Sequence, residues 1–141
     1  MSADFFDSNV FVYLFDEAAP DKRGIAQSLV RNAIETRSAC ISHQVVQETL
    51  NVLTRKFVRA PTSAHAQAFF EQFLLPLWQG KPCQALFTEA LRLKSRYQFS
   101  FYDSLIVAAA LEAGCKRLLS EDLQHGQRIE GLRIENPFRL A

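Results

Sequence analysis

The sequence predicts an α/β fold, a three-layer α/β/α sandwich around a short, mostly parallel central sheet. Three observations predict it. Short apolar runs alternate with longer stretches of helical periodicity, the pattern of parallel strands with helices on both faces. The chain has 141 residues, which suits a single domain over residues 1–141, and it shows no repeat, low-complexity segment or linker. Acidic residues recur where predicted strands end and helices begin, and parallel sheets bind ligands in the crevice at the carboxyl ends of their strands.

In chain order, Ala3 to Phe6 reads as a buried strand, followed by a short helix over 9–15. Pro20 and Asp21 open a helix to about residue 37, with Ile25, Leu29 and Ile34 on its apolar side. Residues 39–42 form a second short strand, and Ser42 caps the next helix, which runs to about residue 59. Pro61, Thr62 and Ser63 start a helix through Ala66, Phe69, Phe70, Phe73 and Leu74, broken near Pro76. Gly80, Lys81 and Pro82 make a loop, and helical periodicity resumes over 84–97 with Leu86, Ala90, Leu91 and Leu93. A helix over 101–113 ends at Gly114, a natural residue for leaving a helix in the left-handed conformation. Residues 117–120 form a third strand, and Ile129, Leu132 and Ile134 supply one or two more.

Composition narrows the function classes. Apolar residues make up 48% of the chain and 12 are Phe, so a filled interior needs no disulfide or structural metal. Cys40, Cys83 and Cys115 are odd in number and in no CxxC spacing, which argues for a reducing compartment and against a zinc site. Cys40 and Cys115 read as packing residues. No signal peptide opens the chain, and no apolar stretch reaches the ~18–20 residues of a membrane span. The expectation is a soluble, cytoplasmic protein with no membrane partner. Net charge is only +1, but basic residues gather at Arg55, Lys56 and Arg59, at Arg92, Lys94 and Arg96, and at Lys116 and Arg117. Around a cation-filled cleft they would suit a phosphate backbone; charge alone favours ordinary solvated faces.

Four acids concentrate the chemistry: Asp7, Glu48, Asp103 and Asp122. Asp7 and Asp122 both fall at carboxyl ends of predicted strands. Asp103 opens the helix that holds the apolar run 105–111, so its charge lies near the interior. The helix N-terminus offsets only ~0.3–2 kcal/mol of such burial. Glu48 shares a polar helix face with Gln44, Asn51 and Arg55, beside the core stripe Val46, Leu50, Leu53 and Phe57. Carboxylates crowded beside apolar residues repel unless something positive lies between them. A hard divalent cation, Mg²⁺ or Mn²⁺, prefers oxygen ligands and fits that need. Each acid also has a plainer reading. Asp7 and Asp122 suit cap or turn positions, Asp103 forms a capping-box pattern with Ser100, and the Glu48 face reads as solvent-facing.

Other chemistry is weaker. His43, His65 and His125 lack metal-binding spacing, there is no Gly-rich phosphate loop, and Ser8, Ser104 and Ser120 have no partner arrangement that marks a nucleophile. Phe69, Phe70 and Phe73 read as core or interface.

Four stretches resemble the signature segments of PIN domains. They are Phe5, Phe6, Asp7, Ser8 and Asn9; Val46, Gln47 and Glu48 with residues 50–56 behind them; Phe101 to Ile106; and Leu119, Ser120, Glu121 and Asp122. In order, over essentially the whole chain, the set most resembles VapC-type ribonuclease toxins of bacterial toxin–antitoxin pairs. The resemblance implies a PIN-like fold and a metal-dependent endoribonuclease, a hydrolase of RNA phosphodiesters using one or two Mg²⁺ or Mn²⁺ ions. It implies Asp7, Glu48, Asp103 and Asp122 as the catalytic, metal-holding acids, with Asp7 and Asp103 chosen for direct contact. Asn9 and Ser120 match supporting positions, and Glu121 places a second acid beside Asp122. RNA, a cleft-blocking antitoxin and a homodimer are the implied partners. The aromatic segment from Ala66 to Leu74 adds to the expectation of self-association. Two other readings stay in view. A non-catalytic PIN scaffold that binds RNA or protein is disfavoured by the intact acidic set. A receiver-like phosphoacceptor would need an acid at the end of strand 39–42, where there is none.

Overall fold

Three short strands form the parallel centre of the sheet: β1 (Asp4–Phe6), β2 (Ala39–Cys40) and β3 (Arg117–Leu119). A hairpin of β4 (Arg128–Ile129) and β5 (Leu132–Glu135) completes it in the order β2-β1-β3-β5-β4. Only β4 runs antiparallel to its neighbour. The structure is a computed structural model describing residues 3–55 and 63–139. Phe5, Phe6, Leu118 and Leu119 are all buried, so both faces of the sheet are covered, as a parallel sheet requires.

Among the described residues, six α-helices surround the strands: α1 (Ser8–Val12), α2 (Pro20–Thr36), α3 (His43–Arg55), α4 (Ser63–Phe69), α5 (Gln84–Tyr97) and α6 (Phe101–Glu112). Their ends follow local chemistry. Pro20 occupies the first turn of α2, where its missing N–H is no loss. Ser42 Oγ accepts from Val45 N at 3.5 Å, a long version of the expected cap. After α6, Gly114 takes φ 75°, and the N–H groups of Gly114 and Cys115 donate to Leu111 O and Ala110 O. That pair of bonds is the Schellman closure, and it turns the chain sharply into β3.

Several expected boundaries shift. The first helix starts at Ser8 and tightens into a 3₁₀ turn at Tyr13–Phe15. The aromatic helix does not run unbroken to Leu74: α4 gives way to a π-helical turn at Phe70–Leu74 and a 3₁₀ turn at Leu75–Leu77. After these turns Leu77 lies beside the outer edge of the sheet. Ile41 N donates to Leu77 O at 2.9 Å and Gln79 N to Ile41 O at 3.0 Å, which covers that edge. The expected continuation of α3 to residue 59, Phe57 of its core stripe, Lys56, Arg59 and the helix start at Pro61 and Thr62 lie outside the described residues.

The aromatic cluster faces inward, the core side of its reading as core or interface, so it offers less exposed apolar surface than the expectation of self-association assumed. Phe69 is buried, stacks on Phe73 with centroids 5.2 Å apart, and meets Phe11 and Phe15 edge-on. Phe70 and Phe73 are partly buried against the same core. Among the described residues, the exposed large apolar side chains are Leu75, Phe87, Leu91 and Tyr102 instead. Cys40 and Cys115, distant in sequence, are buried free thiols with sulfurs 3.3 Å apart, in keeping with a packing role. Among the described residues, no helix is long and apolar enough to cross a membrane.

From β1 the chain crosses to β2 on one side, while β3 lies on the other. The winding therefore reverses between β1 and β3, and a crevice opens at their carboxyl ends.

Candidate active site

Two residues meet in that crevice because of strand register. Phe6 pairs with Leu119, so the next residues, Asp7 and Ser120, leave their strands side by side. Ser120 Oγ donates to Asp7 Oδ2 at 2.7 Å, and both side chains are buried. Ser8 N donates to Asp7 Oδ1 at 2.7 Å, so Asp7 also serves as the N-cap of α1. Asp122 stands two residues beyond Ser120 and donates its backbone N–H to Ser120 Oγ at 3.2 Å. One buried hydroxyl thus ties two of the acids together.

The other two acids come from helices. Glu48 lies one turn beyond Gln44 on α3, and Gln44 Nε2 donates to Glu48 Oε2 at 3.3 Å and to Tyr102 O at 3.1 Å. Asp103 is the third residue of α6. Ser100 caps that helix by accepting from Asp103 N at 3.1 Å, so the capping half expected of Ser100 is present. Asp103 therefore sits at a helix start and beside the other acids at once.

Electrostatics shows how close the four acids stand. Burial raises the Asp7 carboxyl from 3.8 to about 6; hydrogen bonds from Ser120 and Ser8 pull it down, and repulsion from Glu48 and Asp122 adds to the rise. Glu48 is raised by partial burial, lowered by hydrogen bonds with Gln44 and Ser8, and raised again by Asp103 and Asp122. Asp103 is raised by partial burial, lowered by Ser100 and raised by Asp122. Each acid thus repels at least two of the others. Among the described residues no Lys or Arg forms an ion pair with any of them.

The supporting residues divide. Asn9 Nδ2 donates to Asp122 Oδ2 at 3.3 Å, while Asn9 Oδ1 is buried without a hydrogen-bond partner. Glu121 is held by Tyr13 Oη and by Lys22 Nζ, the latter at 2.6 Å. Partial burial pushes the Glu121 carboxyl up, but hydrogen bonds from Lys22 and Tyr13 outweigh it and hold the group below the ordinary range. Its charge is thus neutralised within the fold, unlike that of Asp122. The sequence offered no local sign of Lys22 or Tyr13, which lie about 100 residues before their partner. Gln44 was legible only as part of a polar helix face.

Two arginines expected in the basic rim are held by acids elsewhere in the fold. Arg92 is bound by Glu89 and Glu130, and Arg117, at the first residue of β3, by Asp4 and Glu135. Each already has acidic partners in the fold. His125 Nδ1 accepts from Asn136 N at 3.0 Å, a structural role.

Donor chemistry in the crevice fits a hard cation: four carboxylates and a buried amide oxygen, all oxygen ligands. Among the described residues no three His, Cys, Asp or Glu side chains are grouped closely enough to hold a metal ion as they stand. The acids form an open ring rather than a closed cage.

A family model described as the PIN domain matches residues 5–128. Among solved structures, a toxin–antitoxin complex from Klebsiella pneumoniae contains a similar chain, with a TM-score of 0.69, 18% identity, and 99% of this chain and 100% of that one covered. VapC20 of Mycobacterium tuberculosis, a sarcin-ricin loop cleaving toxin, is similar with a TM-score of 0.60, 20% identity, and coverage of 85% and 92%. No curated protein matches the sequence.

Proposed function

The chain belongs to the PIN domain family, and from that premise we propose that it is a Mg²⁺- or Mn²⁺-dependent endoribonuclease, the toxin of a toxin–antitoxin pair. One observation carries the reading. Four carboxylates from separate parts of the chain border the crevice at the ends of β1 and β3, and among the described residues no cation pairs with them.

In this reading Asp7 and Asp103 contact the ion directly, and Glu48 and Asp122 complete its surroundings or a second site. When bound, such an ion lowers the pKa of coordinated water and offsets the charge that develops on a phosphodiester. The chain's own residues prepare for it. Ser120 and Ser8 each hold one oxygen of Asp7, which fixes the carboxylate plane. Gln44 orients Glu48, and Asn9 orients Asp122. Asp7 holds its proton to about pH 6, so ion binding below that pH must displace a proton.

An RNA-cleavage assay of the purified protein with Mn²⁺, with EDTA, and with Asp7→Asn tests the proposal. Cleavage should require the cation and vanish in the variant; undiminished cleavage by Asp7→Asn would sink the assignment. Sequencing RNA ends after brief expression identifies the target. The similar chain in a toxin–antitoxin complex supports an antitoxin as partner. A homodimer and a cytoplasmic setting belong to the same reading, and light scattering at tens of micromolar without antitoxin checks the dimer.

A further inference from the structure

Beside the acidic ring, a cavity of about 490 Å³ opens between the start of α3, the 79–82 loop, α5 and the start of α6. Its volume falls in the range of small-ligand sites. Aliphatic side chains such as Ile41, Leu86 and Leu105 and the His43 ring form part of its wall, and two further kinds of group bear on recognition. Phe87, Phe101 and Tyr102 supply aromatic faces: Phe87 and Phe101 are nearly parallel with centroids 6.4 Å apart, and Phe101 meets Tyr102 edge-on at 5.7 Å. Tyr102 is 66% exposed and Phe87 44%. Gln44, Gln47 and Gln79 supply neutral donors and acceptors on the same lining. The cavity is also joined to the acids, because Gln44 bridges Glu48 and the carbonyl of Tyr102, and Tyr102 immediately precedes Asp103.

That lining selects among occupants. An aliphatic side chain from a protein partner would cover the rings and leave the amides unpaired. A phosphate would find little net charge, since Lys81 on the lining is matched by Glu112. A nucleobase meets both requirements, its face against the rings and its edge against the amides, as single-stranded RNA is generally read. We propose that this cavity is a base-binding subsite, taking one unstacked base of a single-stranded RNA whose backbone lies at the acidic ring. Its RNA substrate rests on the ribonuclease reading above. In the subsite Tyr102 and Phe87 supply stacking, and Gln47 contacts the base edge.

The test is an NMR titration of the full chain in EDTA, where cleavage is off, with the four uncharged ribonucleosides and with ribose 5-phosphate as control. At least one nucleoside should shift the side-chain amide signals of Gln44 and Gln47 saturably, and ribose 5-phosphate should not. Tyr102→Ala should weaken that binding roughly ten-fold, the scale of one lost stacking contact. Gln47→Leu, at an exposed position, should change the ranking among the four bases while leaving the backbone spectrum intact. No shift at these glutamines with any nucleoside overturns the subsite. So does a dimer that Phe87→Ser and Tyr102→Ala both convert to monomer, because the face then belongs to a second copy of the chain. RNA cleavage without nucleoside binding removes the subsite and leaves the ribonuclease reading; nucleoside binding without cleavage does the reverse.

Discussion

Acidic side chains meet two opposite fates on this sheet. Asp4, the first residue of β1, and Glu135, the last of β5, share Arg117: its Nη2 lies 2.5 Å from Asp4 and its Nη1 2.7 Å from Glu135, and Arg133 joins Glu135. At the carboxyl ends of β1 and β3, Asp7, Glu48, Asp103 and Asp122 receive only neutral donors: Ser8, Asn9, Gln44, Ser100 and Ser120. Where the acids serve the fold, the chain supplies the positive charge itself. Where it supplies none, a proton or an added cation must do so. The first group is partly exposed, and ion pairs of that kind contribute only ~0–1 kcal/mol each. The second is the costlier arrangement, and a fold that keeps it has a use for it.

Activity should separate the two groups most widely. Asp7→Asn is expected to lower RNA cleavage by at least roughly a hundred-fold, the upper scale on which even outer partners of a metal centre act. Asp103→Asn, Glu48→Gln and Asp122→Asn should also be severely impaired, and Asp4→Asn should stay within about two-fold of wild type. Steady-state rates with a labelled RNA decide it. Equal losses at Asp4 and Asp7 would erase the distinction.

Acid–base behaviour sharpens the comparison without any substrate. The folded Asp7 carboxyl titrates at about 6 against an ordinary 3.8. Between those values the folded state keeps a proton that the unfolded state has released, so stability falls as pH rises through that window and levels off above it. Without metal the whole loss is on the order of 3 kcal/mol, with about 1 kcal/mol of it between pH 5 and pH 8. Glu121, held below its ordinary range, contributes with the opposite sign, so the informative quantity is the difference between wild type and Asp7→Asn. Denaturant midpoints in EDTA should show the variant flattening the profile across the window. Superimposable profiles would mean that the Asp7 charge is not isolated.

Cation binding should then reverse the penalty. Mg²⁺ or Mn²⁺ at a hundred times its dissociation constant stabilises the folded protein by about 2.7 kcal/mol. That increment should grow from pH 6 to pH 8 as the proton on Asp7 ceases to compete. Asp4→Asn should keep the increment and Asp7→Asn should lose much of it. A thermal shift of equal size in both variants would place the ion elsewhere.

The sheet and its crevice were legible because apolar runs such as Phe5 and Phe6 or Leu118 and Leu119 alternate with helical periodicity, and Asp7 and Asp122 follow those runs directly. Helix ends with local chemistry, Pro20 and Gly114, were legible for the same reason. The π-helical turn at Phe70–Leu74 was not, since its apolar residues also fit the period of an ordinary α-helix. Nor was the inward packing of Phe69, which depends on Phe11 and Phe15 more than 50 residues earlier. The doubled acid shows the limit most clearly. Glu121 and Asp122 are neighbours in sequence, and only the distant Lys22 and Tyr13 give them different surroundings.

The smallest expected effect concerns Asp103, which stands between the two kinds of acid. Ser100 caps α6 through Asp103 N, so the cap does not require the Asp103 carboxylate. The carboxylate does interact with the helix dipole, which is worth ~0.3–1 kcal/mol in its favour. Against that stand partial burial and repulsion from Asp122, which together raise its pKa despite the opposing effect of Ser100. Asp103→Asn removes the half-buried charge at similar volume and leaves the cap in place. In EDTA at pH 8 it should therefore melt slightly above wild type, by less than about 1 kcal/mol of stability, since the lost dipole interaction offsets part of the relief. Ser100→Ala should lose about 1 kcal/mol with or without Mn²⁺, because it removes the cap itself. In saturating Mn²⁺ the order of wild type and Asp103→Asn should invert, since only the wild type gains the full increment. A variant that melts below wild type in EDTA, with no Mn²⁺ shift in either protein, would assign Asp103 to the helix end and remove it from the ring.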